Sequence, residues 1–317
     1  MNKKTGKILK ITLPLLLGVA LVWYSLSKIS IEELITYFKN ANYAYISLGL
    51  FFGLLSHLSR AYRWKFMIEP LGYTLRLPNS IMAVFATYLV NYTIPRAGEI
   101  TRATILTNYE GVPFEKGFGT IVAERIADMV VMLGIITITL FLEFDFIYQF
   151  FSERFDPYKI MIAAVGLIVI AFLFFLFIKK SQSKFAVKVR SFASGLLEGI
   201  LSIFKMKHKW AFIFHTVFIW GMYILMFYVT TLAIPETANL PLAAILIGFI
   251  SASFSIAATN GGIGSYPVAV YAAFSIFAIA KEPSIAFGWI MWSSQTFMII
   301  LLGGLSLIYL PIYNRIK

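Results

Sequence analysis

Hydrophobic positions run along this chain in blocks of about 18 to 25 residues, the length needed to cross a bilayer as helix. Six full spans are predicted, at residues 11–26, 43–59, 117–142, 160–178, 210–232 and 284–310. The Ile31–Asn40 segment alternates apolar and polar residues with helical period and is predicted to lie at the interface. Two further apolar stretches, residues 77–116 and 240–281, are each interrupted in the middle. The first break is NYTIPRAGEITR, Asn91 to Arg102, and the second is TNGGIGSYP, Thr259 to Pro267.

Composition narrows the class to an all-α polytopic membrane protein, a single integral membrane domain over residues 1–317. Of its 317 residues 59% are hydrophobic and only 13% are charged, which excludes a soluble domain. Long unbroken apolar runs, rich in 30 Phe and 17 Tyr, exclude the short alternating strands of a barrel. The chain has no cysteine, so disulfides and thiolate chemistry are excluded as well.

A net charge of +12 on so little polar surface concentrates in a few segments, and these set the topology. Residues 179–209 carry Lys179, Lys180, Lys184, Lys188, Arg190, Lys205, Lys207 and Lys209 against Glu198 alone, which predicts a cytoplasmic loop facing anionic lipid. Glu143, Asp145, Glu153 and Asp156, with Arg154, predict an acidic loop on the opposite side. The basic start of the chain and its end at Arg315 and Lys317 are then both cytoplasmic, in a multi-pass protein of the cell membrane. The first span has the look of a signal peptide, but Trp23, Tyr24 and Lys28 read as interfacial anchors without a small-residue cleavage site. His57, Arg60, Arg63 and Lys65 read as an inside-positive flank at headgroup level. Nucleic acid is not an expected partner.

Charge parity requires each broken stretch to start and finish on one side, the first inside and the second outside. Each is a re-entrant hairpin or a pair of short spans, and a re-entrant hairpin is favoured because interrupted backbone at depth must be enclosed by protein or line a wet cavity. The order of two spans, a broken segment and one span then occurs twice, over residues 9–142 and 158–310. Three crossings per half make the second copy inverted, the layout of many secondary transporters.

The breaks hold the chemistry. Pro95 stops a helix and a new one is predicted from Arg96, with Arg96, Glu99 and Arg102 on one side at spacing three. In the second break Asn260, Gly261, Gly262 and Gly264 open backbone conformations closed to other residues, and a helix restarts near Ser265. Both breaks would aim a helix N-terminus and backbone donors at the interior, an anion site to which Arg96 and Arg102 add full charges. Two readings of the charged trio stand together. Either Arg96 or Arg102 grips a phosphate while Glu99 orients the arginine or exchanges a proton, or the three form a neutral ion network that pins the hairpin. Glu124, Arg125 and Asp128 read as a supporting ion network near the inner surface. Glu124 and Asp128 share a face, but two carboxylates beside an arginine are too few to predict a metal. No cofactor is expected.

These residues carry a resemblance. P-R-A-G-E-x-x-R at Pro95 to Arg102, A-E-R-x-x-D at Ala123 to Asp128 and G-G-I-G at Gly261 to Gly264 together resemble the lysylphosphatidylglycerol synthase transmembrane region family of flippase-like integral membrane proteins. The resemblance covers nearly the whole chain. Members fused to a soluble aminoacyl-transferase domain make and translocate aminoacylated phosphatidylglycerol, whereas this chain is similar to the membrane part only, so aminoacyl transfer is not expected of it. The resemblance implies functional weight at Pro95, Arg96, Gly98, Glu99, Arg102, Glu124, Arg125, Asp128, Gly261, Gly262 and Gly264. It departs from the family after the last motif, where an acidic residue is common and this chain has Ser265, Tyr266 and Pro267.

The expected function is therefore translocation of an anionic phospholipid or lipid-linked precursor, its headgroup held between the two breaks. No nucleotide-binding P-loop is present, so a gradient or downhill lipid flow would drive it. One alternative is an assembly or lipid-binding subunit that moves nothing. The other is an intramembrane lipid-modifying enzyme. It is weakened because His57, His208 and His215 show no serine or carboxylate partner in the sequence.

Overall fold

A computed structural model of the chain describes residues 16, 18–94, 97–154, 156–190 and 206–315, and every element among them is helical. Pro95, Arg96 and part of the first predicted span lie outside the described residues, as do residues 191–205 of the predicted basic loop. The helices are α1 (18–26), α2 (Ile31–Asn40), α3 (Tyr43–Ile68), α4 (Leu77–Thr93), α5 (Ala97–Glu110), α6 (Phe114–Leu142), α7 (Phe144–Arg154), α8 (Pro157–Lys180), α9 (Lys184–Arg190), α10 (Lys209–Thr231), α11 (Leu242–Ala258), α12 (Ser265–Ser275) and α13 (Lys281–Arg315). They form two compact units, one of residues 1–121 and 210–317, the other of residues 122–209.

Of the six predicted spans, α6, α10 and α13 are long and apolar enough to cross a membrane on their own, and α8 is so when taken together with α9. The α3 helix is longer than its predicted span and continues through Arg60, Arg63 and Lys65 to Ile68. The predicted interfacial segment is α2, capped by the Ser30 hydroxyl, which accepts the Glu33 N–H at 3.1 Å, and none of its residues is buried.

In the first unit the organising element is α13. Its glycines let neighbours approach backbone to backbone, the usual device for packing helices without a solvent driving force. A side chain at Gly303 would collide with Leu89 and the Phe85 carbonyl of α4, and one at Gly288 with Pro267 of α12. On α3, Gly49 and Gly53 do the same toward Thr230 and Met226 of α10.

Both interrupted stretches fold as helical hairpins. The first, α4 and α5, is locked at its base by Arg76, whose Nε donates to both Glu110 carboxylate oxygens at 3.0 and 3.2 Å. Asn79 adds a 2.6 Å bond to Glu110, and the Asn314 side chain at the end of α13 accepts from Arg76 at 2.8 Å. The start of α4 and the end of α5 are thus at one end of the unit, as the charge parity predicts. The second hairpin, α11 and α12, seats Phe274 against Phe227 of α10 and Phe287 of α13, with ring centroids 6.3 and 5.6 Å apart.

Within the second unit, α8 is capped by Asp156, which accepts the Tyr158 N–H at 2.9 Å. Arg190 donates to the Ile178, Lys179 and Ser181 carbonyls at 2.6, 3.0 and 2.9 Å, satisfying the end of α8. One cation of the predicted basic loop is therefore a helix cap. The predicted acidic loop is also largely structured: α7 occupies most of it, with Phe144 and Tyr148 stacked one turn apart.

Candidate functional site

The first break is built from its own hairpin. Helix α4 ends at Thr93, and α5 begins at Ala97 with Gly98 pressed on the Thr87 carbonyl and the Asn91 side chain, where any larger residue would collide. Asn91 Oδ1 accepts the Gly98 N–H at 2.8 Å. The second break uses left-handed backbone at Gly261, Gly262 and Gly264, with φ of 64°, 81° and 68°. Its hydroxyls interlock: Ser255 and Ser265 lie 2.6 Å apart, Thr259 and Ser265 2.9 Å apart, and the Gly262 N–H donates to Thr259 at 3.1 Å. The α1 backbone at Leu21 and Val22 lies directly on Gly264.

This bears on the anion cradle expected at the two helix starts. The N–H groups of Gly98, Gly261, Gly262, Ile263 and Tyr266 are already engaged within their own hairpins. A turn this tight satisfies its own amides, because buried backbone donors left open are costly. What the second break leaves over is a side chain. The Asn260 Nδ2 is buried and has no hydrogen-bond partner among the described residues.

The two breaks meet. The ring of Tyr92, in the last turn of α4, rests on Gly261, so that a side chain there would strike it. Helix α13 holds both tips on one face: the Trp292 indole N–H donates to the Gly261 carbonyl at 2.8 Å, and the Thr296 hydroxyl to the Tyr92 hydroxyl at 3.2 Å. Measured along α13 at about 1.5 Å per residue, the first hairpin reaches about 27 Å from its base at Asn314 to its tip at Thr296. The second extends about 16 Å in the other direction, from the Lys281 end to Trp292. The hairpins therefore enter from opposite ends of the helix and touch tip to tip.

The predicted charges are distributed as follows. Arg96 is outside the described residues. Arg102 is 1% exposed, and its guanidinium lies 3.9 Å from the centroid of Trp64 on α3. That ring is itself fixed by a 2.9 Å bond from its N–H to Thr120. Glu99, one turn nearer the break, is half-buried. In the second unit Glu124 and Asp128 are buried on α6, and Arg125 is 4.0 Å from Asp128 at the limit of an ion pair.

Two groups differ from the sequence reading. Arg60 and Arg63, expected at headgroup level, are 3% and 0% exposed. Arg63 donates to Thr216 at 2.7 Å and lies over the Phe212 ring. A cation ending an apolar run has one sequence signature whether it snorkels or packs inward, and α3 continues past both residues. Likewise His215, which has no serine near it in the sequence, has its Nδ1 2.8 Å from the Ser59 hydroxyl on another helix. Tyr92, Trp292 and Thr296 carried no sequence signal, because aromatic and hydroxyl residues are ordinary in membrane helices.

A sequence model of the Lysylphosphatidylglycerol synthase TM region matches residues 11–304. A UPF0104 membrane protein of Methanocaldococcus jannaschii is 26% identical over 311 residues, covering 88% of this chain and 88% of that protein. The glycosyltransferase AglD of Haloferax volcanii is 25% identical over 110 residues, 34% of this chain but only 18% of the enzyme. No solved structure matches.

Proposed function

The chain belongs to the lysylphosphatidylglycerol synthase transmembrane region family, and from that premise we propose that it translocates an anionic phospholipid or lipid-linked precursor across the cell membrane. The observation that carries this reading is the tip-to-tip meeting of the hairpins at Tyr92 and Gly261. In a bilayer, two re-entrant hairpins that touch at depth make a boundary between two half-channels, each open to one leaflet. Polar groups lie at and behind that boundary: the amide nitrogen of Asn260, which has no hydrogen-bond partner among the described residues, is beside Gly261 in the second tip, Glu99 is in the first turn of α5, and Arg102 on Trp64 is one turn farther along α5; Arg96, outside the described residues, joins them by sequence alone. Such groups are expensive inside a membrane and mark substrate pathways. Gly262 and Gly264 shape the loop that presents Asn260, and Glu124, Arg125 and Asp128 serve as a supporting ion network within α6. Parting of Tyr92 from Gly261 would then let the headgroup pass while the acyl chains remain in lipid.

An enzymatic reading has one observation in its favour, the Ser59–His215 pair. Among the described residues no carboxylate hydrogen-bonds His215, so the orienting third group of an acyl-transfer site is missing from that position. The likeness to a glycosyltransferase covers a minor part of that enzyme and carries no transferase chemistry to this chain.

Reconstitution into vesicles with fluorescent phosphatidylglycerol, phosphatidylserine and phosphatidylcholine tests the proposal. The expected result is transbilayer movement of the anionic lipids above protein-free vesicles, lost in Arg102→Ala. Movement equal to protein-free vesicles for every headgroup, with the protein shown to be folded and inserted, overturns it.

A further inference from the structure

The contact between the two tips has one loosely held part. On the second tip, Trp292 donates to the Gly261 carbonyl at 2.8 Å, and the hydroxyls of Ser255, Thr259 and Ser265 interlock at 2.6 and 2.9 Å. The α1 backbone at Leu21 and Val22 closes the loop from a third direction, lying against Gly264. Shifting this loop would strand buried donors and acceptors, each with its full desolvation penalty.

The backbone of the first tip is closed as well. The Thr87 hydroxyl donates to the Ala83 carbonyl of its own helix at 2.7 Å and to the Gly98 carbonyl of α5 at 3.2 Å, and Asn91 accepts the Gly98 N–H. Bridged in this way, α4 and α5 cannot slide past one another. One turn before Tyr92, Leu89 bears directly on α13 at Gly303, so the end of α4 is seated too.

The Tyr92 side chain is the exception. Its ring is half-buried and covers Gly261, a residue with no side chain to interlock with it. Among the described residues its hydroxyl has Thr296 as its one hydrogen-bond partner, at 3.2 Å, the longer of the two bonds that α13 makes to the tips. Turning this ring breaks one neutral bond, whereas moving either backbone breaks several. We infer that the Tyr92 ring is itself the gate, swinging off Gly261 while both hairpins stay in place, with Thr296 as the latch that holds it shut.

This inference rests on the translocation reading and narrows its substrate. A gate made by one side chain opens a gap one phenol ring wide. Such a gap passes a phosphate with a small polar substituent and stops a lipid-linked oligosaccharide. The swing also uncovers Gly261 beside Asn260, whose amide nitrogen has no hydrogen-bond partner among the described residues, a donor suited to a phosphate oxygen.

The test uses the full chain, in detergent for spectroscopy and in vesicles for transport. With 3-fluorotyrosine replacing Tyr92, fluorine NMR is expected to show two exchanging ring signals. Thr296→Val, which keeps the latch's shape without its hydroxyl, is expected to raise the minor signal about fivefold, the ratio one neutral hydrogen bond supplies. A single unchanged signal in both proteins overturns the gate. The chain has no cysteine, so spin labels at Thr93→Cys and Ala272→Cys, two exposed positions on α4 and α12, report the hairpins alone. One distance is expected, the same with and without Thr296→Val, and a second distance in that variant means that the hairpins part and overturns the ring as the moving element. In vesicles, Thr296→Val and Tyr92→Phe are each expected to speed phosphatidylglycerol about fivefold, and the double variant no further, because both remove the same bond. Gains that add overturn the latch. A fluorescent ganglioside, anionic but with a branched oligosaccharide head, is expected not to move, and movement at the phosphatidylglycerol rate overturns the size limit. Exchanging ring signals with no lipid movement in any of these proteins would reject translocation and retain the swinging ring.

Discussion

The phenol ring of Tyr92 rests on the backbone of Gly261, joining the tip of one hairpin to the tip of the other. Gly261 also needs a left-handed backbone, at φ 64°. Gly261→Ala therefore meets two penalties, about 1–2 kcal/mol for the conformation and about 1–3 kcal/mol for overpacking against the ring. A clear fall in melting temperature in detergent is expected. Gly304→Ala, on the same α13 that holds both tips, meets nothing within 4 Å and is expected to leave stability unchanged or slightly higher. Equal melting temperatures for the two variants would contradict the tip contact.

The base of the first hairpin makes a separate prediction. Glu110 has a side chain only 6% exposed and takes bonds from both Arg76 and Asn79. Glu110→Ala leaves a partly exposed guanidinium without its counter-ion, at a cost of about 1–3 kcal/mol, less than the full penalty of a deeply buried pair. Asn314→Ala removes the tie to α13 and is expected to cost about 1 kcal/mol. Because Arg76 is shared, the two losses should fall short of adding in the double variant, as thermal unfolding of all four proteins would show.

Much of this was legible in the sequence because membrane helices state their lengths and ends plainly. The Ile31–Asn40 helix has its predicted bounds, α5 and α12 restart within a residue or two of Arg96 and Ser265, and both breaks are hairpins. What the sequence did not show is which way a polar group faces. Arg60 and Arg63 end an apolar run and look like anchors, yet both are buried. The amides at the breaks look open, yet Asn91 and Thr259 close them. Contacts between distant segments, such as Tyr92 on Gly261 or Ser59 on His215, have no periodicity to betray them, so only the fold brings them out.

Arg102 and Trp64 allow binding to be separated from packing. The guanidinium is 3.9 Å from the ring centroid, and a desolvated cation–π pair contributes about 2 kcal/mol. Trp64→Phe keeps a smaller ring but loses the bond to Thr120, so a modest loss of stability is expected with anionic-lipid movement preserved. Arg102→Lys keeps the charge without the planar fork and is expected to slow movement of anionic lipids by about tenfold, the equivalent of about 1.4 kcal/mol, while neutral lipids are unaffected. Equal slowing of both lipid classes would assign Arg102 to structure alone.

Asn260 gives the most discriminating variant, because stability and function should move in opposite directions. Its buried amide nitrogen has no hydrogen-bond partner among the described residues, a state that costs about 1–3 kcal/mol. A group kept at that cost beside Gly261 is suited to a ligand that arrives later. Asn260→Ala removes the open donor, so an unchanged or raised melting temperature is expected together with slower movement of anionic lipid. Asn260→Asp sets a negative charge where a phosphate would pass and is expected to abolish movement of anionic lipids at neutral pH. If Asn260→Ala instead lowers stability and leaves transport intact, the side chain is a structural part of the turn, and the headgroup path must run elsewhere.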